Sequence, residues 1–450
     1  MNILKTLFGM PEAQRRVKIL AVALPIMGGM ISQNILNLVD SAMVGFLGDV
    51  ALAATGIGGF ANFMAVALVL GVSSGVQAIT SRRLGEGKID QTGIALDGGL
   101  LIALVIGVPL SATIYYFSEN IFQLLSDDPA VVQTGTEYFQ IRVISMIAVG
   151  MNFAFRGYWS AMQMTQNYLR TLLLMHAINI FLNWVLIFGN LGFEAYGVNG
   201  AATATSISMF AGTIFYFIQG FRHARPNGFL HGIPSMHTIK SMLKISIPSS
   251  MQQLFFASGM VVLFWIVGKI GTSELAAINV LMNLTLAALL PALGLGLAAA
   301  SLVGHALGEG KPEEAEQWGW EVAGMGLKVA LIIGLPLVVF HKFVLGIFLH
   351  DPQTLELAVI PLMIMGSMVW FDAIGMVAMN CQLGAGDSKR MLLITIVTQW
   401  IFFIPTAYMV GPVLGYGLLG VWYAQAAYRI LQASMFIIWW RKGHWRKIKV

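Results

Sequence analysis

Apolar residues fill long stretches of this chain, separated by short segments rich in polar residues, glycine and proline. Each stretch is about twenty residues or longer, enough for a helix to cross roughly 30 Å of hydrocarbon. The stretches are continuously apolar rather than alternating, which argues against a membrane β-barrel. The first, from Val17, is too long for a cleavable signal peptide. We therefore predict an all-α integral membrane protein with twelve transmembrane helices, near residues 17–46, 51–80, 94–118, 129–156, 167–189, 197–221, 240–269, 273–303, 321–345, 353–380, 390–410 and 415–440.

A repeated pattern divides these helices into two sets of six. The sequence LGEGK occurs at residues 84–88 and again at 307–311, each time after an apolar stretch that begins at a proline, Pro25 or Pro248. Six helices per copy make both copies enter the membrane in the same direction. We predict two pseudo-symmetric six-helix bundles, an N-terminal one at 1–225 and a C-terminal one at 239–450, joined by a cytoplasmic linker at 226–238. Duplicated bundles are a common plan for secondary transporters.

Composition and charge agree with a membrane location. Hydrophobic residues make up 57% of the 450 residues and charged residues only 10%, whereas about 25% charged residues is typical of soluble domains. Basic residues gather in alternate loops, while the loops at 48–50, 118–129, 190–195 and 411–414 have none. Since basic loops stay in the cytoplasm, we predict a multi-pass protein of the inner membrane with both termini cytoplasmic. The net charge of +5 then calls for no nucleic-acid partner.

The first predicted helix carries one stripe of polar residues. Asp40 lies deep in the helix, Asn37 is one turn before it, and Gln33 is two turns before it. An acid at a helix centre costs roughly 2.5–3.5 kcal/mol on insertion scales, so Asp40 should face protein or water. A lone Asp can also serve only to bond a neighbouring helix. The stripe favours a functional site at Asp40, with Gln33 and Asn37 as candidates for the substrate cavity.

The fifth and sixth predicted helices offer neutral oxygen ligands. His176, Asn179 and Asn183 are spaced i, i+3 and i+7, which places them on one face of the fifth helix. Thr205 follows a run of small residues in the sixth helix. One carboxylate with several neutral oxygens suits a proton or a hard cation such as Na⁺. Membrane asparagines are also common interhelical glue, and His176 is more readily a structural or cavity residue than a proton carrier.

The second half has its own acid, Asp372, in the tenth predicted helix. The repeat aligns Asp372 with Asn152, a further candidate for the cavity, and aligns Asp40 with Leu263. The duplicated scaffold is therefore symmetric while its acids are not. Asp372 is predicted as a second-half acid that matters less for transport than Asp40 does.

Several of these motifs together resemble one family, the MATE multidrug and toxin extruders. The resemblance covers nearly the whole chain. It implies an antiporter that exports organic cations and drugs by alternating access, driven by protons or sodium ions. It also implies that Asp40, Asn179, Asn183 and Thr205 form the cation or proton site, and that any Na⁺ binds at these four residues. The motifs are Val39-Asp40-Ser41, Val44-Gly45, Leu52-Ala53-Ala54, LGEG at 84–87, Asn179 with Asn183, Gly197 with Gly200-Ala201-Ala202, and Gly384-Ala385-Gly386-Asp387.

The sequence departs from the branches of that family in two places. NorM-like members carry a glutamate eight residues after the proline of the seventh helix, where this chain has Phe256. Some archaeal DinF-like members carry an aspartate where this chain has Asn183. One carboxylate among neutral groups binds sodium weakly, because a single charge offsets the lost hydration of the ion. Proton coupling is therefore favoured over sodium coupling, and no other cofactor is expected.

The expected mechanism couples charge at Asp40 to the shape of the first helix. Burial favours the neutral form of a carboxylate and a nearby cation favours its charged form, so protons and cationic drugs exclude one another. Pro25 removes one backbone hydrogen bond and lets the helix bend. Protonation of Asp40 is expected to favour this bend. The expected partners are small, mostly cationic molecules and the lipid bilayer, and the protein is expected to be a monomer.

Two other classes of protein stay open at this stage. A flippase of lipid-linked oligosaccharides has a related fold but needs a strongly basic central cavity, and the interior basic residues are few, chiefly Arg142 and Arg429. An integral membrane acyltransferase needs a His-Asp or metal-ligand cluster, and His305 and His341 have no acid at a suitable spacing. The sequence therefore predicts no catalytic residue and no enzymatic activity.

Overall fold

The computed structural model describes residues 3–448, with side chains from residue 6, and all regular secondary structure in that range is helical. Residues 1–2 and 449–450, on which the prediction of cytoplasmic termini falls, lie outside the described residues. The α-helices are α1 (Ile3–Phe8), α2 (Ala13–Gly45), α3 (Asp49–Gly85), α4 (Thr92–Leu125), α5 (Pro129–Ile144), α6 (Met146–Ala161), α7 (Thr165–Phe188), α8 (Gly197–Gln219), α9 (Met236–Gly268), α10 (Thr272–Gly308), α11 (Pro312–Val339), α12 (His341–Gly346), α13 (Pro352–Gly384), α14 (Ser388–Thr395), α15 (Ile404–Tyr408) and α16 (Gly417–Lys442).

The predicted all-α membrane fold is confirmed. Among the described residues, 10 helical segments are long and apolar enough to cross a membrane. The pair α5 and α6, bent by 44°, passes the same test as a broken span and covers the fourth predicted helix. The 26-residue α16 covers the twelfth. Large apolar side chains such as Leu124 and Ile332 are exposed on the surface of these helices, as lipid contact requires.

The bend between α5 and α6 has a local cause at Ser145. The backbone N–H of Ser145 donates to the carbonyl oxygen of Arg142 at 3.1 Å, and its hydroxyl donates to the same oxygen at 2.7 Å. These bonds tighten the last turn of α5 and replace the regular four-residue ladder. The sequence pattern gave a continuous helix at 129–156 because Ser145 is as compatible with an apolar stretch as with a bend.

The eleventh predicted helix contains π-helical turns. Two segments, Ile396–Phe403 and Met409–Val413, flank α15. Pro405 lies at the start of α15 and Pro412 inside the second π segment. Proline has no backbone N–H to donate, so the helical ladder is interrupted on this span, and π-helical turns are one way of absorbing such an interruption.

The chain forms two compact units. One contains Gly28–Met251, and the other contains Met1–Met27 together with Gln252–Val450. The boundaries fall inside α2 and α9, shortly after Pro25 and Pro248. Each unit therefore includes the start of one of these helices and the rest of the other. The division of the sequence into halves around 226–238 stays a prediction.

Part of the predicted linker at 226–238 is folded onto the unit Gly28–Met251. Phe229 is fully buried and its ring packs against those of Phe155, Phe217 and Phe221. The backbone N–H of Leu230 donates to the carboxylate of Asp97 at 2.9 Å. The composition of residues 226–238 does not reveal this buried aromatic residue, because one phenylalanine hardly changes the mean polarity of the segment.

The two LGEGK copies form the same turn at the ends of α3 and α10, as the repeat predicts. Gly87 and Gly310 both have a φ of 74°. Lys88 donates to Glu86 at 2.8 Å, and Lys311 pairs with Glu309 at 2.8 Å. These glycines adopt the left-handed conformation, which a residue with a Cβ takes at a cost. Both copies are helix-ending turns.

Replacing either turn glycine should destabilise the protein through backbone strain alone. No atom lies within 4 Å of a Cβ built at Gly87 or Gly310, so Gly87→Ala and Gly310→Ala should each cost about 1–2 kcal/mol. Each should lower the unfolding temperature measured by circular dichroism. Gly59→Ala is the matched control, because Gly59 is helical with equally open space. An unchanged unfolding temperature in both turn variants would contradict the strain argument.

Candidate functional site

A chain of hydrogen bonds joins the predicted site residues of α2, α7 and α8. The side-chain amide of Asn183 donates to Asp40 Oδ1 at 2.6 Å and to Asn179 Oδ1 at 3.1 Å. The amide of Asn179 donates to Thr205 Oγ1 at 3.1 Å, and the Thr205 hydroxyl donates to the carbonyl oxygen of Ala201 at 2.9 Å. The structure thus brings together all four residues that the sequence places at a cation or proton site.

Burial gives this chain of polar groups a defined geometry. Asn179 and Asn183 are fully buried, while Asp40 and Thr205 are partly exposed. One turn away along the helices, Val44 of α2, Ile187 of α7 and Ala201 of α8 pack in a single apolar cluster. Because residues four apart share a helix face, this apolar layer holds the polar side chains of the next turn against one another. The Oδ1 atom of Asn183 is buried without a hydrogen-bond partner among the described residues.

The remaining cavity candidates of α2 and α7 form a neighbouring network. His176 Nδ1 lies 2.9 Å from the hydroxyl of Ser32, and His176 Nε2 lies 3.2 Å from Gln33 Oε1. The amide of Gln33 donates to Asn37 Oδ1 at 3.2 Å. The predicted polar stripes of the two helices therefore face each other. His176 is bonded to neutral groups on both ring nitrogens, which fits a structural or substrate-positioning group.

Asn152 lies apart from both networks. Its amide donates to the carbonyl oxygen of Met209 at 3.2 Å, and its Oδ1 accepts from the hydroxyl of Thr213 at 2.8 Å. Both partners belong to α8. The side chain therefore ties α6 to α8, and no hydrogen bond connects it to Asp40 among the described residues.

Asp372 of the second half forms an ion pair within its own unit. Its Oδ2 lies 3.0 Å from Nε of Arg429, and the side chains are 11% and 21% exposed. Arg429 belongs to α16. This partner of Asp372 was not predicted from the sequence, because the two residues are far apart in the chain and neither spacing nor pattern connects them. The pair has no net charge.

Arg142 is a functional candidate that sequence reasoning missed at this site. It lies on α5 and interacts electrostatically with Asp40. Its Nε and Nη1 atoms are buried and have no hydrogen-bond partner among residues 3–448. A charged residue inside the predicted span 129–156 was the available signal, since such residues are rarely placed there without a function.

Three of the side-chain oxygens in this hydrogen-bonded network already accept a hydrogen bond. Asp40 Oδ1, Asn179 Oδ1 and Thr205 Oγ1 each already accept an amide hydrogen. Hard cations are bound by several oxygen ligands at once, and a further oxygen, Asn183 Oδ1, has no hydrogen-bond partner among the described residues, so the network offers oxygens to a proton or to a hard cation. The described residues also contain no group of three or more His, Cys, Asp or Glu side chains that could hold a metal ion.

Known proteins share the sequence pattern over both halves of the chain. The family model MatE matches residues 25–185 and 248–409. A probable multidrug resistance protein NorM from Thermotoga maritima is 25% identical over 443 residues, which cover 96% of this chain and 93% of that protein. A probable multidrug resistance protein NorM from Burkholderia pseudomallei is 27% identical over 438 residues, which cover 93% and 90%.

Solved structures share the fold. A MOP superfamily transporter from Pyrococcus furiosus matches with a TM-score of 0.88 and 23% identity, over 100% of this chain and 99% of that one. An outward-facing multidrug resistance MATE family transporter matches with a TM-score of 0.88 and 22% identity, over the same shares. At these identities the likeness shows the helical fold alone.

Proposed function

Since this chain belongs to the MatE family, we propose that it exports small, mostly cationic organic molecules and drugs from the cytoplasm in exchange for an entering ion. As a member of this family it is a multi-pass membrane transporter and not an enzyme. The names of its relatives support drugs as substrates, since those from Thermotoga maritima and Burkholderia pseudomallei are probable multidrug resistance proteins. Alternating access is the proposed cycle, because the duplicated bundles are typical of transporters that work in this way.

One observation carries the proposal, namely the hydrogen-bonded chain that ends on Asp40. Asn179 and Asn183 are fully buried, and both amides point their N–H groups along the chain towards oxygen acceptors. Among the four hydrogen-bonded residues, only Asp40 carries a full negative charge. A cationic molecule gains from contact with it, and a proton that neutralises it removes that gain. The two ligands therefore compete, as export driven by proton entry requires.

The coupling ion is proposed to be the proton. Protonation needs one oxygen of Asp40, whereas sodium needs several oxygen ligands, and Asp40 is the only one of the four residues whose full charge can offset the lost hydration of the ion. In the second half Asp372 is paired with Arg429, so it offers no free charge to a cation. A sodium ion that did bind would use Asp40, Asn179, Asn183 and Thr205.

Efflux from vesicles tests the function and the ion together. Purified protein is reconstituted into vesicles. The vesicles are loaded with a fluorescent cation, and a proton gradient or a sodium gradient is imposed separately. Proton-driven efflux should continue when choline replaces sodium at fixed pH and should stop with a proton uncoupler. Efflux that survives the uncoupler and stops without sodium would overturn proton coupling and leave Asp40 as the site. Vesicles without protein are the control.

The cellular arrangement is proposed from the charge pattern. Basic loops alternate with loops that lack basic residues, which favours an inner-membrane protein with both termini in the cytoplasm. The halves 1–225 and 239–450 with their linker 226–238 are proposed as the duplicated units of the sequence, and the protein is proposed to act as a monomer in the bilayer.

Pro25 is proposed as the point where α2 responds to Asp40. It lies inside α2, and the boundary between the compact units follows directly after Met27. Gly29, one turn after Pro25, packs closely against α7, since a Cβ there would lie 2.8 Å from atoms of Tyr168 and Leu172.

The flippase alternative loses support from the same geometry. It needs a strongly basic cavity that attracts pyrophosphate. Arg142 interacts with Asp40 and Arg429 is paired with Asp372, so each interior arginine that the sequence offered for such a cavity is matched by an acid. We keep export of cations as the proposed function.

A further inference from the structure

Arg142 lies in the same layer of side chains as the proposed cation site. The apolar cluster beside the site contains Val44, Ile187 and Ala201, and Tyr138 of α5 packs against it. One helical turn from each of these residues are Asp40, Asn183, Thr205 and Arg142, respectively.

The directions of the four helices place these four polar residues on the same side of the apolar cluster. By the chain order, α2 and α7 run towards the layer of apolar residues, whereas α5 and α8 run away from it. The residue four positions before Val44 or Ile187 and the residue four positions after Tyr138 or Ala201 therefore lie on the same side of the apolar cluster.

A second contact fixes the register of α5 against α8. The hydroxyl of Ser206 donates to the carbonyl oxygen of Ile141 at 3.1 Å. Ser206 follows Thr205 and Ile141 precedes Arg142 in the chain. The two helices thus meet at the level of the site, and α5 is its fourth wall.

The guanidinium of Arg142 lacks the partners that a structural arginine has. Its Nε and Nη1 atoms are buried with no hydrogen-bond partner in the described part of the chain. Arg429, by comparison, binds Asp372 directly at 3.0 Å. Buried N–H groups of a charged residue that stay unbonded are costly. A buried charge without hydrogen-bond partners at the wall of a binding site attracts or repels the ligand of that site electrostatically.

We propose that Arg142 is the internal counter-charge of Asp40 and determines how tightly the site holds a cation. The inference rests on the proposed function, because it assigns a second charge to the same site. In the empty site the positive charge of Arg142 offsets the negative charge of Asp40. A bound organic cation is attracted by Asp40 and repelled by Arg142, so its affinity is the difference of the two effects. An exporter needs such a limit, because a cation bound too tightly is released slowly.

The test measures binding of tetraphenylphosphonium, a permanently charged cation, by calorimetry on the full-length protein in nanodiscs. Alkaline pH is used so that Asp40 is ionised in every variant that retains it. Arg142→Gln should bind the probe more tightly, on the order of tenfold, because a repulsive charge at short range in a partly buried site is removed. Arg142→Lys keeps the positive charge at the site and should therefore stay within about threefold of wild type, which corresponds to about 0.65 kcal/mol.

Two controls separate the charge effect from damage to the fold. Arg222→Gln removes the same charge from an exposed position and should leave binding unchanged. In an Asp40→Asn background, Arg142→Gln should still bind the probe more weakly than wild type, because the attraction lost at Asp40 is expected to exceed the repulsion lost at Arg142. Size-exclusion profiles and unfolding temperatures confirm that each variant is folded.

The outcomes distinguish this inference from the proposed function. If Asp40→Asn binds the probe as wild type does, the proposed site at Asp40 is overturned. If Asp40→Asn loses binding while a folded Arg142→Gln is unchanged or weaker, the site stands and the counter-charge role of Arg142 is overturned. Tighter binding by Arg142→Gln together with slower maximal efflux supports the inference.

Discussion

Asp40→Asn is expected to abolish ion-coupled efflux while leaving the protein folded. The asparagine keeps an oxygen that accepts the hydrogen bond from Asn183, now 2.6 Å long, so the chain through Asn179 to Thr205 persists. What is lost is the charge that attracts the cation and the group that takes up the proton. A close charge pair in a partly buried site is worth about 4 kcal/mol. Affinity for a monovalent cation should therefore fall on the order of a hundredfold or more, and efflux under a proton gradient should fall to the background.

A matched variant separates the site from general loss of charge. Asp127→Asn makes the same chemical change at an exposed position in the loop between α4 and α5, and it should leave efflux unchanged. Expression level, size-exclusion profile and unfolding temperature should be those of wild type in both variants. Near-normal coupled transport by a folded Asp40→Asn protein would show that the carboxylate is not the coupling group.

Helical periodicity was sufficient to find most of the first-half site. Asn179 and Asn183 share a face of α7, and Gln33, Asn37 and Asp40 share a face of α2, because a helix repeats every 3.6 residues. The hydrogen bonds between Asn183 and Asp40 and between His176 and Gln33 show that these two faces meet. Polar residues inside apolar helices must find polar partners, so stripes on separate helices of one bundle tend to pair.

The side-chain partners that come from distant helices could not be predicted from the sequence. Arg142 and Arg429 both lie inside apolar spans, and the sequence shows neither the layer that brings Arg142 to Asp40 nor the ion pair of Arg429. Such pairings depend on helix rotation and register, which one sequence does not specify. The bend at Ser145 and the π-helical turns around α15 were missed for a related reason, because they leave the apolar pattern unbroken.

The asymmetry of the two acids has a structural reason in the core. Leu263, the counterpart of Asp40 in the repeat, is 1% exposed and belongs to a large apolar cluster with Ile278 and Trp422. A carboxylate there would be buried without a partner, which is strongly unfavourable. The second half therefore keeps its acid elsewhere, at Asp372, where Arg429 balances the charge. This packing supports different roles for the acids of the two halves, with Asp40 at the proposed site and Asp372 in an ion pair.

Breaking the pair between Asp372 and Arg429 is expected to harm stability more than cation binding. The pair is 3.0 Å long and mostly buried. Asp372→Asn leaves Arg429 unpaired and Arg429→Gln leaves Asp372 unpaired, and removing one partner of a buried pair typically costs about 3–5 kcal/mol. The double variant with both changes should recover most of the lost unfolding temperature, because neither charge is then left alone. Glu356→Gln is the control, since its pair with Lys342 is exposed and 3.9 Å long and should contribute little.

Transport by the double variant decides what Asp372 does. If the acid is structural, the folded double variant should export cations at a rate well above that of Asp40→Asn, since the site at Asp40 is untouched. The same reasoning makes Asp372→Asn less damaging to transport than Asp40→Asn, once both are compared per folded molecule. A stable double variant without transport would mean that the second half contributes an essential charge, and coupling would then have to involve both acids. Because the double variant removes two opposite charges together, this comparison separates loss of an acid from exposure of an unpaired arginine.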